Sequence, residues 1–334
     1  MGKFADELAP KFADVPPRPV FKDGTVAALA ERYAQEFKLS VNQRAQIGVI
    51  QRAPIGSRQA ENLTRNDYRQ HAVLRKSNGV QTFVRRKDRP AQLSGATVGK
   101  DFGLLSVIFT HAKDYWDVEI DLELLKQARR KLKKEKLIGK AKKRTRRPEQ
   151  DELERLLAHF AGQNGNKRTK TDMVTVTEFS YEAGRRISET CRIRRKDVNI
   201  EKQTYWVYNL KNPNGKGIHH EFVLFGRALE IVRERLEVIP QNPDARLFPF
   251  NSKTCSARYT EAKKRLGIVD LRLHDNRREC FSRQFAKGLT VTQVQHGTSG
   301  HLGDAKTLVD TYTQVKPEEI LAAVKLIDQR ASMA

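Results

Sequence analysis

The sequence predicts a mainly α-helical protein of two domains with one small β-sheet. Three observations lead there. Apolar stripes at three- and four-residue intervals recur along most of the chain, one pair of β-branched and aromatic runs flanks a cluster of turn formers, and a strongly basic stretch separates two folded halves. With 334 residues the chain is long enough for two hydrophobic cores. Hydrophobic residues make up 38% and include 15 Phe, too many for a wholly disordered polymer.

Residues 1–24 contain Pro16, Pro17 and Pro19 and read as a tail, because proline blocks regular helix. Residues 25–125 read as a helical domain. Val26, Leu29, Ala30, Tyr33 and Phe37 form one stripe on a helix that Asp23 or Thr25 can cap. A second helix is predicted from about Arg65 to Lys76 after the Thr64 cap. A third runs from about Thr97 to Tyr115 on Val98, Phe102, Leu105, Ile108, Phe109 and Ala112, and Gly79 to Leu93 between them reads as a polar, basic loop. Residues 126–147 carry a base at nearly every second position and one acid, Glu135, so they are expected to stay solvated as a basic linker that tracks phosphate.

Beyond Pro148 a second domain is predicted over residues 148–316. Leu153, Leu156, Leu157 and Phe160 mark a helix, and Met173 to Tyr181 another. Gln203 to Leu210 and Glu221 to Phe225 flank the turn formers Asn212 to Gly217, which predicts a β-hairpin with a lysine in its loop. Helical stripes resume at Ala228 to Val238, Thr254 to Leu266 and Phe281 to Gly288. Residues 317–334 form a C-terminal helix, Glu318 to Ile327 after Pro317, with acids in its first turn as helix polarity favours.

Lys plus Arg number 63 against 40 Asp plus Glu, a formal net charge of +23 that makes a polyanion the expected partner. The candidate DNA contacts are Lys100 and, along the basic run, Arg129, Arg130, Lys133, Lys140, Lys142, Lys143, Arg144, Arg146 and Arg147. No apolar stretch of about 18 residues exists, which excludes a membrane-spanning helix, and the first residues lack the layout of a secretory signal. Cys191, Cys255 and Cys280 are odd in number and lack metal-ligand spacing, so neither a disulfide framework nor a zinc site is expected. Acids are scattered rather than clustered, which disfavours a two-magnesium nuclease, and no Walker-type phosphate loop is present. No metal or cofactor is expected.

Four segments concentrate Arg, Lys and His near Gly: Gly184 to Glu189 (GRRISE), Gly215 to Gly217 (GKG), His274 to Arg277 (HDNR) and Ser299 to Tyr312 (SGHLGDAKTLVDTY). Together they resemble the catalytic domain of the tyrosine recombinases, the phage-integrase family. Gly184, Arg186, Ile187, Ser188 and Glu189 match that family's first arginine segment, with Arg185 where an aliphatic residue is usual. Lys216, eight residues before Leu224, resembles its hairpin lysine, and Lys211 is the rival assignment. His274 and Arg277 resemble its His-x-x-Arg, Gly300 and His301 its Gly-His pair, and Tyr312 its nucleophile, although Tyr312 lies eleven residues after His301 rather than about nine. An insertion around Gly303 to Ala305 accounts for that spacing. The order of the earlier helices is similar to the core-binding domain that precedes such catalytic domains.

The resemblance implies a helical core-binding domain joined by the basic linker to an α+β catalytic domain, clamped around duplex DNA. It implies site-specific DNA recombination, the integration or excision of a mobile element, through a 3′-phosphotyrosyl intermediate. A homo-tetramer on paired sites, accessory DNA-bending or directionality factors, and a cytoplasmic place on the bacterial nucleoid follow from the same likeness. A noncatalytic DNA-binding regulator and a type IB topoisomerase-like activity are the alternatives. The residue types suit the chemistry. Two guanidinium groups can hold nonbridging phosphate oxygens bidentately without losing a proton, the task of Arg186 and Arg277. Tyr312 needs cations and a nearby imidazole to favour its phenolate; His274 is the candidate proton acceptor or phosphate ligand, His301 a hydrogen-bond donor to the phosphate, and Lys216 the acid for the leaving oxygen.

Overall fold

The structure, a computed structural model, describes residues 22–78, 92–141, 143–163, 171–210, 217–300, 305–312 and 316–331. The chain divides into two compact units, Met1–Lys142 and Lys143–Ala334.

The first unit holds α1 (Val26–Glu36), α2 (Val41–Arg52), α3 (Arg65–Lys76), α4 (Gly95–Tyr115) and α5 (Leu122–Lys134). Each begins where a side-chain oxygen satisfies an otherwise unpaired N–H. Thr25 caps α1, Ser94 caps α4, and Ser40 with Gln43 and Thr64 with Asp67 form reciprocal capping boxes. The stripe predicted for α4 is fully buried from Val98 through Ala112 and forms the spine of this core. The same helix buries Asp101, which accepts hydrogen bonds from Arg75 Nε at 2.5 Å and Gln46 Nε2 at 3.1 Å, with His71 Nε2 3.3 Å away. Burial pushes the Asp101 carboxyl up, but the nearby His71 ring and the Arg75 guanidinium outweigh it and hold the group below the usual carboxylate range. One buried carboxylate thereby ties α2, α3 and α4 together.

Two features differ from the sequence expectation. Helix α2 carries only a short stripe, Ile47, Val49 and Ile50, broken by Gly48, and its clearest signal is the Ser40 capping box. The expected linker over residues 126–147 is not a linker in its first half. Leu125, Ala128 and Leu132 recur at helical spacing beneath the bases and are buried, as is Ile138, so the run folds as α5 into the first core and the unit extends to Lys142. The bases stay outside while the leucines go in.

The second unit holds α6 (Gln150–Ala161), α7 (Met173–Ala183), α8 (Ile187–Thr190), α9 (Gly226–Val238), α10 (Ser252–Arg265), α11 (Asp275–Ala286), α12 (Val291–Gln293), α13 (Ala305–Tyr312) and α14 (Pro317–Ala331). Its sheet has the order β1 (Val198–Asn199), β2 (Thr204–Leu210), β3 (Ile218–Val223), antiparallel throughout. Strand alternation sends Tyr205 and Val207 inward and leaves Trp206 and Tyr208 exposed. Tyr205 pairs with Phe222 across the ladder, ring centroids 5.5 Å apart, and both join the core around Phe179 and Phe248. Strand β3 begins three residues earlier than predicted, and residues 211–216, with the expected loop lysine, lie outside the described residues. Helix α14 follows Pro317 as expected, belongs to the second unit and packs on α11.

The distinction between linker and helix is measurable. Leu132→Ala is expected to lower the unfolding free energy of the first unit by about 2–4 kcal/mol in urea titrations. The neighbouring Lys133→Ala should leave it within about 0.5 kcal/mol. Equal, negligible effects would mean that α5 is not part of that core.

Candidate active site

Helix α7 ends at Gly184, whose φ of +62° lies in the left-handed region. A Cβ there would stand 2.9 Å from the Phe281 ring and 3.0 Å from Cys280 Sγ, so both conformation and space demand glycine. The turn delivers Arg185 inward, 1% exposed, and sets Arg186 at the N-cap of α8. Arg186 Nη1 donates to Glu189 Oε1 at 2.6 Å, and the guanidinium keeps 29% exposure while the carboxylate keeps 2%.

Arg277 sits in the first turn of α11, fully buried, with Nη1 donating to the Gly184 carbonyl at 2.7 Å and Nη2 to the Ser299 carbonyl at 2.9 Å. Three guanidiniums, those of Arg185, Arg186 and Arg277, thus surround one buried carboxylate. Burial pushes Glu189 up, but the three positive charges outweigh it and hold the carboxyl below its ordinary value.

His274 immediately precedes α11 and remains exposed at its edge. Desolvation by the protein around it, followed by the charges of Arg277, Arg186 and Arg278, pushes its pKa down to about 4 against the opposing pull of Asp275. At neutral pH the ring is uncharged and able to accept a proton. Asp275 fixes the start of α11: it accepts from the Arg272 N–H at 2.9 Å and from Arg278 Nη1 at 3.0 Å.

The approach to His301 is also built on a glycine. Val294–Ser299 forms a π-helical turn closed by Gly300 at φ +56°, where a Cβ would stand 2.5 Å from Phe222 Cζ. Helix α13 ends at Tyr312 and is anchored one turn earlier by Leu308, which is fully buried with Cys280, Phe281 and Val294. The structure therefore brings Arg186, Arg277 and His274 together and places the backbone of Tyr312 at the end of α13. Lys216, its rival Lys211, and His301 lie outside the described residues, as does the side chain of Tyr312.

The phage integrase family model matches residues 146–319, just over half of the chain. The chain belongs to the phage integrase family. It is a tyrosine recombinase, an enzyme of site-specific DNA recombination. It is 24% identical over 301 residues to the shufflon-specific DNA recombinase of Escherichia coli, covering 89% of this chain and 68% of that one. Its fold is similar to that of the Tn1549 transposon integrase solved with transposon right end DNA, at TM-score 0.64 and 14% identity over 91% of this chain and 99% of that one. A lambda integrase dimer bound to a core site matches at TM-score 0.60 and 17% identity, over 87% and 77% of the two chains.

The recombinase treats its predicted DNA contacts unequally. Lys100, Arg130, Lys133, Lys140 and Lys143 are exposed and Arg129 is half-buried, whereas Lys142 lies outside the described residues. Arg144, Arg146 and Arg147 correct the expectation that the whole run faces phosphate. Arg144 donates to Asp275 and Asp270, each at 2.6 Å, and Arg146 to Glu152. Arg147 is buried between Glu279 and Glu319, 2.6 Å from each. The partner of Arg146 is only six residues on, in α6, but those of Arg144 and Arg147 come from α11, α14 and the Asp270 turn, more than a hundred residues away, which a local count of charges does not register.

Sequence reasoning missed Glu189 as the counter-charge. It also missed a cleft of about 430 Å³ on the outer face of the sheet, lined by Arg192, Arg194, Lys196, Arg246, Trp206 and Tyr208. The available signal was the alternation in β2 that turns two aromatics outward. Among the described residues no group of three or more His, Cys, Asp or Glu side chains is arranged to hold a metal, and no helix is long and apolar enough to cross a membrane.

The charge state of His274 is directly observable. In NMR titration of the DNA-free protein its ring should stay neutral down to a midpoint near pH 4. Replacing the neighbouring cation in Arg186→Gln should move the midpoint upward, toward the ordinary histidine value near 6.5. A midpoint near 6.5 in the wild type would mean that neither burial nor the guanidiniums act on it.

Proposed function

We propose that this recombinase cleaves and rejoins double-stranded DNA through a 3′-phosphotyrosyl intermediate on Tyr312, integrating or excising a mobile element. The observation that carries the reading is the convergence of Arg186 and Arg277 on one buried carboxylate beside an uncharged His274. Net positive charge is thereby gathered beside a group that can accept a proton. In-line attack by the Tyr312 oxygen on the scissile phosphorus adds negative charge to the nonbridging oxygens, which the guanidiniums stabilise. The phenolic proton passes to His274, His301 donates a hydrogen bond to the phosphate, and Lys216, between β2 and β3 in sequence, protonates the departing 5′ oxygen, with Lys211 the alternative acid.

The P–O bond lost to deoxyribose is replaced by one to tyrosine, so a 5′ hydroxyl from a second duplex can reverse the step without ATP or a metal. A homo-tetramer on two paired sites suits that exchange; one matched lambda integrase structure is a tetramer on a Holliday junction. The first unit supplies core-site affinity through the exposed bases of α5 and the sheet-face cleft adds further cations. Accessory DNA-bending or directionality factors and a place on the bacterial nucleoid belong to the same reading.

Denaturing capture of protein-linked DNA from expressing cells, with sequencing of the attached ends, tests it. Wild type should give adducts clustered at one sequence, and Tyr312→Phe none, with DNA affinity kept within severalfold. Adducts scattered over many sequences would favour topoisomerase-like relaxation. Absence of adducts from folded, DNA-bound wild type would make the protein a regulator. In binding titrations against salt, Lys133→Ala should lower the slope of log affinity by about one, the share of a single phosphate contact, while leaving sequence preference unchanged.

A further inference from the structure

Two guanidiniums cross-link the segments that lead into the reacting residues. Arg277 joins the carbonyl of Gly184 to that of Ser299. Arg185 joins the carbonyl one residue earlier in each segment, taking Ala183 through Nε at 3.3 Å and Thr298 through Nη2. The first segment stands directly before Arg185 and Arg186, and the second directly before Gly300 and His301. Arg185 sits over Phe222, its guanidinium carbon 3.9 Å from the ring centre. Its Nη1 has no partner among the described residues and lies 3.6 Å from where a Gly300 Cβ would stand. A buried cation carries a large desolvation penalty that an aliphatic side chain in the same space would not. Packing alone does not account for it.

We propose that Arg185 is a positioning residue that keeps the π-helical turn before Gly300, which leads in sequence to His301, in register with Arg186 while Arg277 engages the scissile phosphate. The inference rests on the reading of Arg277 as a phosphate ligand. Each Nη of Arg277 carries two hydrogens and gives one to a backbone carbonyl, so a phosphate that binds through the others shares this guanidinium with both carbonyls and loosens its hold on them. At that moment Arg185 still bridges the end of α7 and the π-helical turn. It touches no reacting atom and acts through the segment it holds. Lysine cannot replace it, because a single ammonium has no fixed fork with which to span both carbonyls.

The test uses the full-length protein and a nicked duplex bearing the sequence recovered by covalent capture. Arg185→Met is expected to bind that duplex within severalfold of wild type and to cleave it about 10–100-fold more slowly in a single turnover. Arg185→Lys should recover less than half of that loss on a logarithmic scale. In a His301→Ala background, Arg185→Met should change cleavage by less than about twofold, because the two residues act as one unit. Hydrogen exchange at amides 294–300 should quicken in Arg185→Met, with α1–α5 unchanged.

Wild-type cleavage with wild-type exchange in Arg185→Met would overturn the proposal, as would a full additional loss in the His301→Ala background. Should Arg185→Met fail to fold, Arg185→Lys carries the same readouts. If wild type forms no adduct on any duplex, the phosphate reading of Arg277 has failed. The positioning role falls with it, and faster exchange would then show only a structural tie.

Discussion

The catalytic unit is organised around one buried carboxylate. Glu189 accepts from Arg186 and lies within the field of Arg185 and Arg277, so three cations that would repel one another in a low-dielectric interior share its counter-charge. Desolvation alone would protonate a carboxyl this deep, and the cations alone would push the site apart. Each makes the other tolerable. Desolvation, reinforced by the same positive field, keeps His274 uncharged, which separates the work of the site into groups that hold negative charge and a group that takes up a proton.

Geometry follows from two glycines and two arginines. Gly184 and Gly300 adopt left-handed backbone where side chains of Phe281 and Phe222 leave no room for a Cβ. Those close approaches bring the carbonyls of residues 183–184 and 298–299 within reach of Arg185 and Arg277. Phe222 comes from β3 and Phe281 from α11, so the hydrophobic core of the unit and its polar centre are braced by the same residues. A second arginine–carboxylate network lies between Arg147, Glu279 and Glu319, where the end of the basic run meets the first turn of α14.

Much of this was legible in the sequence because it is local. The stripe of α4, the Thr64 cap that begins α3 and the hairpin pattern around Asn212 to Gly217 all depend on neighbours within a few residues. The order of the Arg, His-x-x-Arg and Gly-His segments pointed to the family. What was not legible depends on partners far apart. Helix α11 was expected to begin at Phe281, yet it starts at Asp275, because Asn276, Arg277, Arg278 and Glu279 are buried polar residues that leave no apolar stripe. Arg144 and Arg147 look solvated in a basic run, and only acids more than a hundred residues away make them internal. In α5 the density of charge concealed three buried residues at helical spacing.

The central claim is that Glu189 balances the guanidinium cluster, and Glu189→Gln addresses it with little change of shape. The account predicts that this variant loses about 3–5 kcal/mol of catalytic-unit stability, the usual consequence of leaving buried charge without its partner, and that it forms no covalent DNA adduct. A Glu189→Gln protein that unfolds with wild type in urea and still becomes linked to DNA at the wild-type rate would contradict it.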